Sequence, residues 1–303
     1  MDMRLRVLRH FAVVAETLNF HRAAEKVNLS QQAISKSIIQ LESQLGLRLM
    51  DRDRQSVVLT EQGKYLLPYV QEVLAAARRL DDAVASAGDV RTGSLSIGAT
   101  PTFLESVIPE ALNAFQQRYP TTPIKVERGD FAYLCTLLMR GDIDLFYSTA
   151  PAENSAHLVR KITVGQDRNV IVVRSGHPLV GKDRIAFDDL AGYPQIATLN
   201  YPRGAAYIER LAAAATMRVP RPALTVESTH LSLERVAGSD SWWVAPHIMV
   251  RSRLHSGGIV VLPVDPPDTP WDLVMVTRRD YSPARKMMDF QTVMRSCLMS
   301  SSD

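Results

Sequence analysis

Residues 20–45 read Phe-His-Arg-Ala-Ala-Glu-Lys-Val-Asn-Leu-Ser-Gln-Gln-Ala-Ile-Ser-Lys-Ser-Ile-Ile-Gln-Leu-Glu-Ser-Gln-Leu. The spacing predicts two helices joined by a tight turn. Asn19 is placed to cap the first, whose inward residues are Ala23, Ala24 and Val27, and the paired alanines let a partner helix approach closely. Asn28 and Leu29 make the turn, and Ser30 is a good N-cap for the second helix. There Ile34, Ile38, Leu41 and Leu45 share one face, while Gln32, Ser35, Lys36, Ile39, Gln40 and Ser43 share the other. Gln and Ser hydrogen-bond base edges, and Lys reaches guanine or phosphate. Upstream, Leu5, Leu8, Phe11, Ala12 and Ala15 form the apolar stripe of a third helix. This is the layout of a helix-turn-helix, although a small helical bundle with solvated polar faces has the same period.

The next residues weigh between the two. Gly46 can end the second helix as a C-cap. Residues 47–60 then place two short apolar runs around a charged tip, which is a β-hairpin wing with Arg52 and Arg54 set to enter a minor groove or hold phosphates. Residues 1–64 carry ten Lys or Arg against seven Asp or Glu, an excess that equals the net charge of +3 of the whole chain. The positive charge is therefore concentrated at this end, and its modest size suits a sequence-specific reader better than a general polyanion binder.

Many positions in one order closely resemble the LysR-type transcriptional regulators: Leu8 to Phe11, Phe20 to Glu25, Leu29 to Ser35, Ile38 to Glu42, Leu45 to Leu49, and Leu59 to Gly63. The resemblance implies a winged helix-turn-helix over residues 1–60 that binds double-stranded DNA through Ser30, Gln31, Gln32, Ser35, Lys36, Gln40, Arg52 and Arg54. The family often has proline where Gln32 stands and phenylalanine where Met50 stands; the first departure bears on base preference and the second on wing packing.

From 61 to 88 the sequence predicts one long helix, the body of a linker spanning residues 61–90. Leu66, Val70, Val73, Ala77, Leu80 and Val84 recur in steps of four and three, an a/d seam suited to a second helix, with Pro68 set to bend its first part. Packing on its own domain is the other use of such a stripe. In the resembled family this helix forms a dimer, and dimers commonly pair into tetramers. Gly88 and Gly93 bracket a hinge.

Beyond it, strands and helices alternate. Leu95–Gly98 and Ile124–Glu127 read as strands, and Gly141–Tyr147 as a turn into a third, around helices at about 103–118 and 134–140, an order that predicts a mostly parallel sheet. A second unit holds strands near Val170–Val173, Gln195–Thr198, Ala223–Glu227 and Trp242–Ala245, with helices from about Ala205 and Leu231. The chain then returns through Leu273–Thr277 and a helix over Ala284–Met299. The fold class is thus α/β with an N-terminal all-α winged helix-turn-helix. Residues 91–303 form a two-lobed, periplasmic-binding-protein-like effector domain, with lobe I over about 93–163 and 268–303 and lobe II over about 164–267.

Clefts between such lobes bind small ligands, and loops after parallel strands deliver helix N-termini that favour anions. Thr100, Thr102 and Phe103 sit at the first such loop, Tyr201 and Arg203 at another, and Thr229 at a third; Thr149 follows a strand and faces the same space. Arg203 could clamp a carboxylate. For each, capping or solvent contact is the competing use. Trp242-Trp243 resembles a variant phrase in regulators of aromatic and dicarboxylic acid catabolism, which points to a small organic anion of that class and sets Trp242 or Trp243 toward the cleft or a dimer face.

No catalytic or metal site is read: the histidines lack triad context or metal-ligand spacing, and no phosphate-binding glycine loop occurs, so neither enzyme chemistry nor a cofactor is expected. Cys135 and Cys297 read as buried apolar thiols, a redox pair being the minority alternative. The absence of a signal peptide or membrane-spanning run leads to the expectation of a cytoplasmic, non-membrane protein. Two other functions stay open: a DNA-binding module controlled by a protein partner, and a small-molecule sensor whose N-terminal helices only dimerise.

Overall fold

The computed structural model describes residues 5–52, 57–87, 94–150, 159–182, 185–279, 281, 283 and 285–299, leaving out the side chains at 52, 78, 79 and 82–87. The expected wing-tip cation Arg54 and the hinge glycines Gly88 and Gly93 lie outside the described residues, as do the side chains of Arg52 and Val84. Two compact units divide the chain: residues 1–97, 121–127 and 132–144 in one, residues 98–120, 128–131 and 145–303 in the other.

The first unit opens with α1 (Leu5–Thr17), α2 (Phe20–Lys26) and α3 (Gln31–Leu45), then β1 (Met50–Arg52) and β2 (Val57–Leu59), an antiparallel pair. Local chemistry sets each boundary. The Asn19 side chain accepts from the backbone N–H of His21 and Arg22, and Ser30 Oγ accepts from Ala33 N at 3.2 Å. Gly46 ends α3 in the left-handed region at φ 65°. Phe11, Val14, Ala23, Ile34, Ile38 and Leu41 close a shared core that Leu49 and Met50 of the wing complete.

The wing is mounted on α3 by one side chain: the Glu42 carboxylate accepts from the N–H of both Leu49, at 2.8 Å, and Met50, at 3.0 Å. Thr60 joins the wing to the long helix α4 (Glu61–Ala87). Its hydroxyl donates to Arg48 O at 2.6 Å and accepts from Gly63 N at 2.9 Å. Here α4 runs so close to the wing that a Cβ at Gly63 would lie 2.1 Å from Leu49 O.

The expected seam on α4 divides. Leu66 and Val70 pack onto the core of α1–α3, together with Leu67 and Leu74, while Val73 is 44% and Leu80 65% exposed. Only the later part of the stripe is therefore open. The helix runs through Pro68 without a break.

The remaining elements build two sheets. They are β3 (Leu95–Ala99), α5 (Pro101–Leu104), α6 (Val107–Arg118), β4 (Ile124–Arg128), α7 (Phe131–Arg140), β5 (Leu145–Thr149), β6 (Val159–Asp167), β7 (Asn169–Arg174), β8 (Gln195–Thr198), α8 (Pro202–Ala214), β9 (Leu224–Val226), α9 (Thr229–Ala237), β10 (Trp242–Pro246), α10 (His247–His255), β11 (Ile259–Leu262), β12 (Trp271–Arg278) and α11 (Arg285–Met299). Lobe I has strand order β4-β3-β5-β12-β6 and lobe II has β11-β7-β10-β8-β9.

Both sheets are mixed rather than mostly parallel. β12 runs antiparallel to β5 and β6, and β7 runs antiparallel to β10 and β11. The reason is that the chain crosses between lobes and returns, so each sheet receives strands from both directions. The first crossing falls at Arg168, between β6 and β7, a few residues later than 164. The helix expected over 103–118 is broken into α5 and α6.

Replacing Gly63 by Ala is expected to destabilise the full chain by about 1–3 kcal/mol, because neither the wing carbonyl nor the helix backbone can yield cheaply. Urea unfolding of the two proteins measures it; equal midpoints would mean that the wing and α4 part easily.

Candidate nucleic-acid interface and ligand cleft

On α3 the side chains of Gln31, Gln32, Lys36 and Gln40 are exposed, Ser35 is half-buried, and Ile34, Ile38 and Leu41 point into the core. The polar residues advance along one helical face, as a major-groove reader requires. Ser30 is exposed but its hydroxyl is engaged in capping, so it fixes where α3 starts. Behind this face His10 Nδ1 lies 2.8 Å from Ser37 Oγ, joining α1 to α3. Burial, with Arg6 and Arg9 nearby, holds His10 below the usual histidine range.

Strand ends of the two lobes approach one another where Arg203 reaches Ala150. The Thr100 N–H donates to Tyr147 O at 3.0 Å, which sets Thr100, at the end of β3, beside the end of β5, where Thr149 lies half-buried. The Thr100 carbonyl caps α5, but its hydroxyl is buried with no hydrogen-bond partner. From lobe II, Arg203 in the first turn of α8 donates to the carbonyl of Ala150 and holds its guanidinium 5.2 Å from the centre of the Trp271 ring. Thr102 is half-buried, and Thr229 begins α9 behind the Ser228 cap. The neighbouring Glu227 lies 3.5 Å from Arg128 at the end of β4.

Two expected ligand contacts are placed elsewhere. Trp242 is 1% exposed: its ring packs edge-on to Phe187 at 6.0 Å, and its N–H donates to Tyr193 O. Trp243 is buried on the opposite face of the same sheet and donates to Thr198 Oγ1 at 2.9 Å. Both indoles are core residues of lobe II because β10 is covered on both sides. The Phe103 ring is likewise fully buried, against Tyr147.

Sequence reasoning missed the residues that join the lobes. Asn169 and Asp268 stand on the two crossings, and the Asp268 carboxylate accepts from Asn169 N at 3.1 Å and from Asn169 Nδ2 at 2.8 Å. Arg210 pairs with the other oxygen, which also accepts from Thr269 N. The Tyr201 hydroxyl donates to Asn169 Oδ1 at 2.6 Å, and burial drives that phenol upward, so it remains a donor. Tyr201 thereby supports the crossing. No periodicity marks these positions; Asp268 lies in a Pro-rich loop, and only closure of the chain brings it to Asn169.

Asp167, at the end of β6, accepts from Ile248 N at 3.3 Å through one oxygen, while the other is buried without a partner. Burial pushes its carboxyl up to about 6, with the N–H groups of Arg168 and Ile248 and the charges of Arg251 and Arg168 opposing. Among the described residues no group of three or more His, Cys, Asp and Glu is set to hold a metal, and no helix is long and apolar enough to cross a membrane. Cys135 is half-buried and Cys297 buried, neither in a disulfide, and burial raises the Cys297 thiol.

The family model "Bacterial regulatory helix-turn-helix protein, lysR family" matches residues 5–64, and the model "LysR substrate binding domain" matches residues 88–296. A curated relative, the SDS degradation transcriptional activation protein of Pseudomonas sp. (strain ATCC 19151), is 31% identical over 291 residues, covering 94% of each chain. In fold, the chain resembles a full-length OxyR variant from Pseudomonas aeruginosa, with TM-score 0.67 and 21% identity over 100% of this chain and 96% of that one. It also resembles full-length CbnR complexed with its target DNA, with TM-score 0.58 and 21% identity over 99% of this chain and 100% of that one.

The raised Asp167 carboxyl makes a signed prediction. The native protein keeps a proton that the unfolded chain releases, so this group's contribution to stability falls as pH rises from about 4 to about 6. Asp167→Asn removes the dependence and keeps an acceptor for Ile248. The variant is expected to be more stable than the wild type by about 1–3 kcal/mol at pH 7.5 and to converge with it near pH 4. Parallel urea curves at both pH values would contradict it.

Proposed function

Because the chain belongs to the LysR family of bacterial transcriptional regulators, we propose that α3 and the wing read promoter DNA while a small organic anion, held between the lobes, sets how they engage it. The family's function is regulation of transcription through DNA binding, not catalysis. What carries the residue-level reading is the capped α3, whose exposed Gln31, Gln32, Lys36 and Gln40 stand opposite a fully buried apolar seam. Gln and Lys on such a face hydrogen-bond base edges and phosphates, and the wing's Arg52 and Arg54 add backbone contacts.

In this scheme residues 1–60 read DNA, 61–90 link and dimerise, and 91–303 sense the effector. The exposed Tyr65, Tyr69, Val73 and Leu80 on α4 support a homodimer through that helix, and pairing of dimers gives a tetramer. The site of action is the cytoplasm, where the promoter is.

For the effector, the unsatisfied Thr100 hydroxyl and the Arg203 guanidinium on neighbouring rims favour a carboxylate-bearing ligand. With Trp242 in the core, the specific case for an aromatic acid loses its support, and the class stands as a small organic anion. Binding would act by differential contacts with two lobe arrangements, shifting their populations. Control by a protein partner is the second reading; the polar strand ends at the cleft favour a small molecule over it.

Genome-wide occupancy with and without Lys36→Ala tests the DNA reading. Discrete peaks should weaken in the variant, whose affinity for a bound fragment should fall by about 1–3 kcal/mol with the fold intact. Unchanged occupancy would remove Lys36 from the interface. Arg203→Ala and Thr100→Val should each keep DNA affinity while blunting the transcriptional response to metabolites of the genes beneath those peaks; a full response in both would count against the cleft.

A further inference from the structure

Within the first unit, α1, α2, α4 and α7 surround a cavity of about 410 Å³, lined by Arg9, Val13, Glu16, Lys26, Leu74 and Arg140 among others. Glu16 sits between two cations. One oxygen lies 3.0 Å from Lys26 Nζ, at the end of α2, and the other 2.9 Å from Arg140 Nη2, at the end of α7. Arg140 also pairs with Asp142 at 3.0 Å. Burial opposes ionisation of Glu16, but the bonds and charges of Lys26 and Arg140 prevail and hold its carboxyl below the usual range. With these two cations engaged by Glu16, the cavity is a poor site for an anion, and its significance is mechanical. α1, α2 and α4 share a packed core, so the gap lies between them and α7, and there dispersion contributes little. At the neighbouring turn Gly141 adopts φ +71°, and a Cβ there would fall 2.7 Å from Ala75 Cβ, so that turn touches α4 over a small area.

We propose that the Glu16–Arg140 ion pair is a breakable latch that holds the DNA-reading helices α1–α3 to α7, and that its opening frees them to change their approach to DNA. A contact held by charge over a loosely packed gap has closed and open states of similar energy, which is what a switch needs. The latch also has a short covalent route to the cleft. After Arg140 the chain passes Asp142 and enters β5, five residues long, whose far end carries Thr149 and Ala150. A ligand that moves that end displaces a stiff strand rooted beside the latch. The inference rests on α1–α3 being the DNA reader.

The test uses the full chain with Glu16→Gln, Arg140→Gln and the double variant. Amide hydrogen exchange is followed in α1 and in the last turn of α7, along with affinity for a genomic fragment that the wild type occupies. If the pair is one latch, each single variant speeds exchange at both places and weakens binding by about threefold, and the double variant matches the singles. Raising the salt toward about 1 M should bring the wild type to the level of the variants. Effects that multiply in the double variant, or wild-type exchange in all three, overturn the latch. Lys36→Ala separates the two failures: it should lose DNA affinity and leave exchange in α1 and α7 unchanged.

Discussion

The tie between Asn169 and Asp268 is the constraint on which the effector domain depends. Each residue stands on one of the two crossings between lobes, and two hydrogen bonds to one carboxylate oxygen fix the strands side by side. Asp268 is nearly buried, so its charge requires full satisfaction, and Arg210 and Thr269 N supply the rest. Tyr201 adds a bond to the same asparagine from the loop that carries Arg203. The two crossings are therefore tied to one another and to the loop that carries Arg203. Without that tie, Thr100 and Arg203 would be residues on two separate sheets.

A second rigid mount serves the other end of the chain. Glu42 spends its carboxylate on two wing amides rather than on DNA, and Thr60 with Gly63 holds the wing against α4. The wing cannot shift without moving α3 and α4. Helix and wing thus form one body, which suits a DNA reader whose register is set before it meets the duplex.

How much of this could be read from the letters follows the range of the forces involved. The helix-turn-helix was legible because its signals are local: Asn19, Ser30 and Gly46 cap where they should, and the period of Ile34, Ile38 and Leu41 marks the buried face. The stripe on α4 was half legible. Its period reveals an apolar face but not the neighbour, and Leu66 and Val70 turned out to pack on α1–α3. β6 escaped notice because its buried and open positions do not alternate cleanly. The mixed sheets, the burial of both tryptophans and the Asn169–Asp268 tie all depend on which distant strands become neighbours, and no local pattern encodes that. Of the expected cleft residues, Thr100 lies beside Tyr147, Tyr201 bonds Asn169 and Arg203 reaches the Ala150 carbonyl, while Trp242 and Phe103 went to the cores.

The contact of Arg203 with the Ala150 carbonyl also bears on sensitivity. A ligand that recruits the guanidinium must first displace an existing acceptor and draw the charge away from the Trp271 face. The apparent dissociation constant for such a ligand is the intrinsic one divided by the fraction of molecules in which Arg203 is available. Under the proposed function, such a contact shifts the working range toward higher ligand concentration. The size of the shift is set inside the protein, by how good an acceptor that carbonyl is and how closely the ring is stacked. Neighbours of Ala150 and Trp271 can therefore retune the response range without any change in the groups that recognise the ligand.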